Sequence, residues 1–264
     1  MNSVQFSVIS RLGKLLLLGW IVFFTVPSWG EESDRLRMTG DVLFHCSFDG
    51  TITPEVHKGE IGSTTATAAE YTKGIKGKAL VTSHSKGISF PTKSNISVAQ
   101  GTIKFWGMPM DWQAGDGLFH HFFRILDQKP EGAKDARAFD LILYKFCEWD
   151  SVVAFGMCGE LTSSNLLQIP MDNLWAPKKW HQIVFTWDKH GACLYVDGKG
   201  KRQNYLRGAP DSLFSESFIV GGPYFVENKT STAIDELTIY TSKLSAQEVE
   251  DIYKTELIES VMQR

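Results

Sequence analysis

From Asp41 onward hydrophobic residues recur at every second position in short runs, and turn residues such as glycine, proline or aspartate close most of them. A two-residue period puts one apolar face on each run, which a β-strand provides and a helix does not. Val42, Phe44, Cys46 and Phe48 alternate with Leu43, His45 and Ser47 before Asp49-Gly50 turns the chain. Further strand runs follow at Thr102–Trp106, Phe122–Leu126, Phe139–Phe146, Val152–Met157, Trp180–Trp187, Ala192–Val196, Ser217–Val220 and Ala233–Tyr240. Asp188-Lys189-His190-Gly191 and Asp197-Gly198 are hairpin signals, although Lys199-Gly200-Lys201 is a weak strand sequence. One segment alone has helical spacing. Ser245-Ala246-Gln247-Glu248 is a capping box, and Val249, Ile252 and Tyr253 form the apolar stripe behind it. Many strands, close turns and one terminal helix predict an all-β fold, a two-sheet antiparallel sandwich with a short C-terminal helix. No repeat or internal linker interrupts it, so one domain is expected over residues 41–254, with 255–264 as a C-terminal tail.

The first thirty residues stand outside that pattern. Arg11 and Lys14 are the only charges before Glu31, an apolar run covers Leu15–Val26, and Pro27 breaks it before Ser28-Trp29-Gly30. This is the layout of a secretory signal peptide over 1–30, with 31–40 as a polar tether. The competing reading, an uncleaved anchor, is opposed by length: twelve residues span about 18 Å as helix against a hydrocarbon core of about 30 Å. The expected location is secreted, periplasmic or cell-surface, and no second apolar stretch predicts a membrane span in the mature chain. Net charge is −3 (27 basic and 30 acidic residues), or −5 without Arg11 and Lys14, with no run of five like charges. Nothing there suggests a nucleic-acid or membrane-surface partner.

Ordered signatures then accumulate along the chain. Phe48-Asp49-Gly50, Gly74-Ile75-Lys76-Gly77-Lys78-Ala79-Leu80 and Gly101-Thr102-Ile103-Lys104-Phe105-Trp106 come first. Trp180-His181-Gln182, Thr186-Trp187-Asp188, Leu194-Tyr195-Val196-Asp197-Gly198-Lys199 and Gly221-Gly222 follow. Ile234-Asp235-Glu236-Leu237 and Leu244-Ser245-Ala246-Gln247-Glu248-Val249 close the series. In this order and over nearly the whole mature chain, the sequence resembles the laminin G-like, concanavalin A-like (LamG-like) jelly-roll domains. The resemblance implies two curved antiparallel sheets, often a structural calcium ion, and frequently a role in binding glycans or proteins. It does not fix a ligand, because this fold hosts lectins, adhesion modules and enzymes.

Asp235 is read as sharing its strand face with Leu237 and Ile239, and a carboxylate there needs a hydrogen-bonding, cationic or metal partner. With Asp49 it is the candidate calcium pair; the competing reading is that Asp235 accepts backbone amides and Asp49 makes an Asx turn. Laminarinase-type relatives carry Glu-x-Asp-x-(x)-Glu on one strand; the nearest match, Glu148-Trp149-Asp150, lacks the third carboxylate and reads as a hairpin turn. No catalytic residue is assigned, and Asp140 and Glu160 are not singled out by spacing. His120 and His121 point to opposite faces of a strand, so packed imidazoles are expected rather than a shared metal. Trp112, Trp149 and Tyr224 fall in expected loops and are the candidate ligand-binding aromatics, since rings stack on sugars and loops carry binding.

Cys46, Cys147, Cys158 and Cys193 allow three disulfide connectivities or buried thiols, and no CxxC spacing points to zinc. A hairpin turning at Glu148–Ser151 would set Cys147 opposite Val152, which disfavours a Cys147–Cys158 pair. Asn95-Ile96-Ser97 and Asn228-Lys229-Thr230 match glycosylation sequons. The sequence reads as an exported binding or adhesion module for carbohydrate. A protein-recognition or structural surface domain is the alternative, and a polysaccharide-degrading enzyme comes third.

Overall fold

The computed structural model describes residues 42–262, apart from 63, 66–67, 127–129, 134–135, 148–150, 156–166, 172–173, 204–208 and 223–228. The signal and tether, Trp149, Tyr224, Cys158, Glu160 and Asn228 lie outside the described residues. In chain order the first strands are β1 (Val42–Cys46), β2 (Val56–His57), β3 (Thr64–Thr65), β4 (Glu70–Lys73), β5 (Lys78–Ser83) and β6 (Ile88–Pro91). The middle of the chain forms β7 (Gly101–Pro109), β8 (His120–Ile125), β9 (Leu141–Lys145), β10 (Val152–Phe155) and β11 (Leu167–Ile169). Then come β12 (His181–Asp188), β13 (Gly191–Val196), β14 (Lys199–Gln203), β15 (Ser217–Val220), β16 (Ser231–Tyr240) and helix α1 (Ala246–Met262).

The larger sheet runs β14-β13-β12-β7-β16-β1-β2, with β5 also on β16 and β4 on β5; the smaller runs β11-β10-β9-β8-β15-β6-β3. Pairing between these strands is antiparallel throughout, as the alternating sequence predicts. Alternate residues of β12 show why the sandwich closes. Ile183, Phe185 and Trp187 join the central core, while Val184 belongs to a separate cluster outside the sheet. Across the two layers Phe44 of β1 meets Phe90 and Phe218 of the smaller sheet at 5.1 and 5.2 Å between ring centroids.

Asp197-Gly198 joins β13 to β14 with φ of 50° and 75°, the mirror-image turn that matches strand twist. That turn carries the weak Lys199-Gly200-Lys201 sequence into a strand despite its poor propensity. The hairpin of β9 and β10 is longer than expected: Lys145 pairs with Val152, and the Phe146 amide donates to the Ser151 carbonyl at 2.9 Å. Cys147 therefore lies in the loop, not opposite Val152. Cys46 faces the core and Cys193 the opposite side of the same sheet, which keeps both as buried thiols; burial pushes the Cys46 thiol up to about 12.

Helix α1 starts on the predicted capping box. The Ser245 amide donates to Glu248 Oε2 at 2.7 Å, and the Glu248 amide donates to Ser245 Oγ at 3.3 Å. Val249 and Ile252 pack on Val184, Cys193, Tyr195 and Tyr240, and Tyr253 stacks on Trp106 at 5.8 Å. The expected tail is a correction: the helix continues to Met262 because nothing between Lys254 and Met262 breaks it and Glu256 anchors the next turn. Glu256 pairs with the Lys104 ammonium and accepts Trp106 Nε1–H at 2.6 Å and Gln182 Nε2–H at 2.9 Å. Burial works against the charge of Lys104, yet Glu256 holds the ammonium above the ordinary lysine range. Burial likewise opposes the Glu256 charge, and Lys104 outweighs it, leaving the carboxyl below its usual value.

Candidate functional site

Two polar constellations stand out in an otherwise apolar sandwich. The first lies in the larger sheet, where β1 and β5 both border β16. There β16 bulges: Asp235 pairs with Trp106 and Thr238 with Lys104, so two residues oppose Phe105 alone, and Glu236 takes φ 51°. The bulge reverses the alternation. Ile234, Leu237 and Ile239 share the core, and Asp235 is turned away from it, contrary to the face predicted from sequence.

Asp235 is fully buried, with Oδ2 accepting the Ile75 and Lys76 amides at 2.9 and 3.2 Å and Oδ1 accepting the Glu236 amide at 3.0 Å. Burial pushes this carboxyl up to about 8 against the pull of those amides. Asp49 reaches the same turn, its Oδ1 accepting the Lys78 amide at 2.5 Å. Among the described residues, no three carboxylate, imidazole or thiolate groups gather as an ion site. The arrangement is a carboxylate latch closing the Gly74–Lys78 turn onto β16.

The second constellation sits where β8 begins and β9 ends. The β7–β8 connection is pinned to β16: the Met110 amide donates to the Ser231 carbonyl at 3.1 Å, and the Ser231 amide donates to Asp111 Oδ1 at 2.7 Å. This carries Trp112 inward. It is 3% exposed, donates through Nε1 to Thr232 Oγ1 at 3.0 Å, and lies parallel on the His120 ring at 3.8 Å. Trp112 is thus a correction, because a ring packed between His120 and Trp175 offers no face to a sugar.

Gly115 and Gly117, with φ of 76° and 73°, turn the connection so that Asp116 points back toward the strands. Asp116 Oδ1 accepts Lys145 Nζ at 2.6 Å and the Leu118 amide at 3.0 Å, and Oδ2 lies 2.6 Å from His120 Nε2. His120 and Lys145 are register partners on β8 and β9, which sets both beside this one carboxylate. The other imidazole nitrogen, Nδ1, is 3.2 Å from Thr230 Oγ1. Burial raises Asp116, but Lys145, the Leu118 amide and His120 hold it below the usual carboxylate range. Burial foremost, with Lys145 adding to it, lowers His120 to about 4 despite the attraction of Asp116.

Above this cluster lies a small cleft lined by Thr82, Ser83, His84, His120, Thr230 and Thr232, with a volume of about 10 Å³. That is room for about one hydroxyl oxygen. Gly222 also lines it, next to Gly221. A side chain at Gly221 would meet Thr82 at 2.5 Å and one at Gly222 the Ser83 carbonyl at 2.2 Å, so only glycine lets β15 exit this close to β5.

Of the predicted candidates, Asp49 and Asp235 meet one turn, Trp112 is interior, and Trp149 and Tyr224 lie outside the described residues. The Asn95 sequon is a further correction. Asn95 is fully buried, its Oδ1 accepts the Lys58 and Gly59 amides and its Nδ2 donates to the Glu60 and Pro91 carbonyls, so the folded chain offers no acceptor nitrogen there. Sequence reading missed Asp116, Lys145, Thr230 and Thr232. The available signal was Lys145 itself, a lysine ending an apolar strand, which requires a buried counter-charge.

Comparison with known proteins places this architecture. No curated protein matches the chain in sequence. The botulinum neurotoxin serotype D binding domain superimposes with a TM-score of 0.62 at 11% identity, over 83% of this chain and 53% of that one. The same serotype's ligand-binding domain, solved in complex with N-acetylneuraminic acid, gives 0.62 at 11% identity, over 83% of this chain and 52% of that one. This chain therefore spans about half the length of those domains. Domain 4 of AbnA, a GH43 extracellular arabinanase from Geobacillus stearothermophilus solved with arabinotriose, gives 0.59 at 19% identity, over 81% of this chain and 98% of that one. Residues 82–250 match the concanavalin A-like lectin/glucanases superfamily in its laminin G branch, and with β7 to β16 all inside that span the chain belongs to this family.

Proposed function

We propose that the protein is an exported recognition module that binds carbohydrate at the cleft between the β5 end, the start of β8 and the start of β16. The observation that carries this reading is the cleft itself: hydroxyls and imidazoles converge there, backed by a buried ion pair that holds them in place. Polar groups of fixed orientation beside apolar walls are what a saccharide site needs. The saccharides in the two neighbouring structures, N-acetylneuraminic acid and arabinotriose, support it by analogy of fold. Export rests on the signal layout of residues 1–30.

The second reading, protein recognition, is favoured by one observation. Leu257, Ile258, Val261 and Met262 are exposed on the last turns of α1, and exposed apolar clusters mark contact surfaces. Catalysis is left out of the proposal because the acidic groups at both constellations hold structure. Asp116 is tied to Lys145 and His120, and Asp235 to three amides. A glycan array decides between the readings: retention of a related set of glycans is expected, and an array with none retained would leave protein recognition. Reducing-sugar release from a polysaccharide panel would establish an enzyme instead.

A further inference from the structure

Two threonine hydroxyls in the cleft have directions fixed by the groups they bond. Thr82 of β5 and Thr232 of β16 are register partners, so their side chains stand together on one face of the larger sheet. Leu80 and Ile234, two residues further in on each strand, belong to the central core, which makes that face the inner one. Thr82 Oγ1 lies 3.0 Å from the Thr232 carbonyl, and a carbonyl only accepts, so the one Thr82 proton is engaged there. Lone pairs are what Thr82 presents to the cleft it lines. Thr232 has the opposite polarity. Its Oγ1 accepts the Trp112 indole N–H at 3.0 Å, and an indole N–H only donates, so the Thr232 proton is left to give. Among the described residues neither hydroxyl has another partner, and neither polarity depends on a tautomer or a titration. The surroundings hold both in place. Trp112 lies parallel on His120 at 3.8 Å, and a β-carbon at Gly221 would come within 2.5 Å of Thr82 Cβ.

We propose that Thr82 and Thr232 together read one free hydroxyl of the saccharide, which donates to Thr82 Oγ1 and accepts from the Thr232 hydroxyl. The proposal rests on the carbohydrate reading and names the feature of the sugar that is recognised. The cleft, about 10 Å³, has room for about one hydroxyl oxygen and none for a carbon beyond it. A sugar residue unsubstituted at that position is therefore selected over one methylated or glycosidically linked there. Thr82 and Thr232 are the specificity-determining residues; Trp112 and Gly221 position them.

Replacing one sugar hydroxyl by fluorine keeps size and removes the donor, whereas O-methylation keeps the oxygen and adds bulk. The probes are methyl glycosides of arabinose, galactose, glucose and N-acetylneuraminic acid with their singly fluorinated and singly O-methylated analogues, titrated by protein-observed NMR. For at least one sugar, fluorine at one position is expected to weaken binding to native protein about tenfold, and O-methylation at that same position to abolish it. The fluorine penalty should vanish in Thr82→Val, which keeps shape and removes the acceptor, and persist in Thr82→Ser, which keeps the hydroxyl. Sugars that bind with no fluorine penalty, with an equal penalty in Thr82→Val, or with a methyl group tolerated at the penalised position would overturn the proposal and leave carbohydrate binding standing. No sugar bound at all would remove both. The fluorine and O-methyl series on native protein requires no variant, so it decides the matter even where Thr82→Val fails to fold.

Discussion

Glu256→Ala tests how α1 is held. Lys104 is an interior lysine, its side chain 3% exposed, and Glu256 is the carboxylate that offsets its charge. Removing one partner of a buried pair leaves an uncompensated charge and typically costs about 3–5 kcal/mol. Trp106 Nε1 and Gln182 Nε2 lose the same acceptor, which argues for the upper part of that range. In a domain of this size each kcal/mol moves Tm by roughly 2–4 °C, so a fall of about 6–20 °C is expected. Urea unfolding gives the free energy, and the C_m should drop at unchanged m. The pair as such separates from the helix contact in a second variant. Lys104→Met with Glu256→Leu removes both charges and should recover the part of the loss that comes from the uncompensated ammonium, the part from the Trp106 and Gln182 donors remaining. A Glu256→Ala protein within about 1 kcal/mol of native would refute the reasoning, since a surface pair costs no more than that.

Three further outcomes follow from the same geometry. His120 is held neutral with its pKa lowered to about 4 while the unfolded residue titrates near about 6.5, so acidification charges the unfolded chain first. Stability should fall between those values by about 3 kcal/mol from this group, with buried His121 adding in the same direction; a flat stability profile from pH 7 to 4.5 would contradict it. Asn95→Ala should cost about 2–4 kcal/mol by urea unfolding, because the Gly59 amide and the Glu60 and Pro91 carbonyls lose Asn95 as partner, and intact mass should show no glycan at Asn95 after expression in a glycosylating host. Asp235→Ala should destabilise by about 2–4 kcal/mol by urea unfolding, because the Ile75, Lys76 and Glu236 amides lose their acceptor. A calcium-dependent rise in Tm that this substitution abolishes would put an ion where the amides are.

The layered fold was legible because alternation is a strong local signal. The alternation of buried and half-buried residues in Val42–Cys46, the turn at Asp197-Gly198 and the Ser245–Glu248 capping box all appear as read. Short edge strands such as Val56–His57 and Leu167–Ile169 were not legible, since two or three residues carry no period and form only by pairing with a neighbour. The orientation of Asp235 failed for a definable reason. One extra residue in a bulge reverses every side chain beyond it, and nothing in Ile234-Asp235-Glu236-Leu237 announces the left-handed Glu236. Trp112 was read as a loop aromatic, which it is by chain position. Its burial comes from Asp111 gripping β16 more than a hundred residues later, a contact no local pattern encodes. The Asp116–His120–Lys145 cluster shares that origin, because cross-strand register and a glycine-rich turn bring it together.

The proposed recognition site is the cleft above His120 rather than another face of the sandwich. Chemical-shift mapping of ¹⁵N-labelled protein with an array-retained glycan measures this directly. Perturbations should concentrate at Thr82–His84, Phe119–His121 and Thr230–Thr232, and shifts confined to Leu257–Met262 of α1 would contradict it.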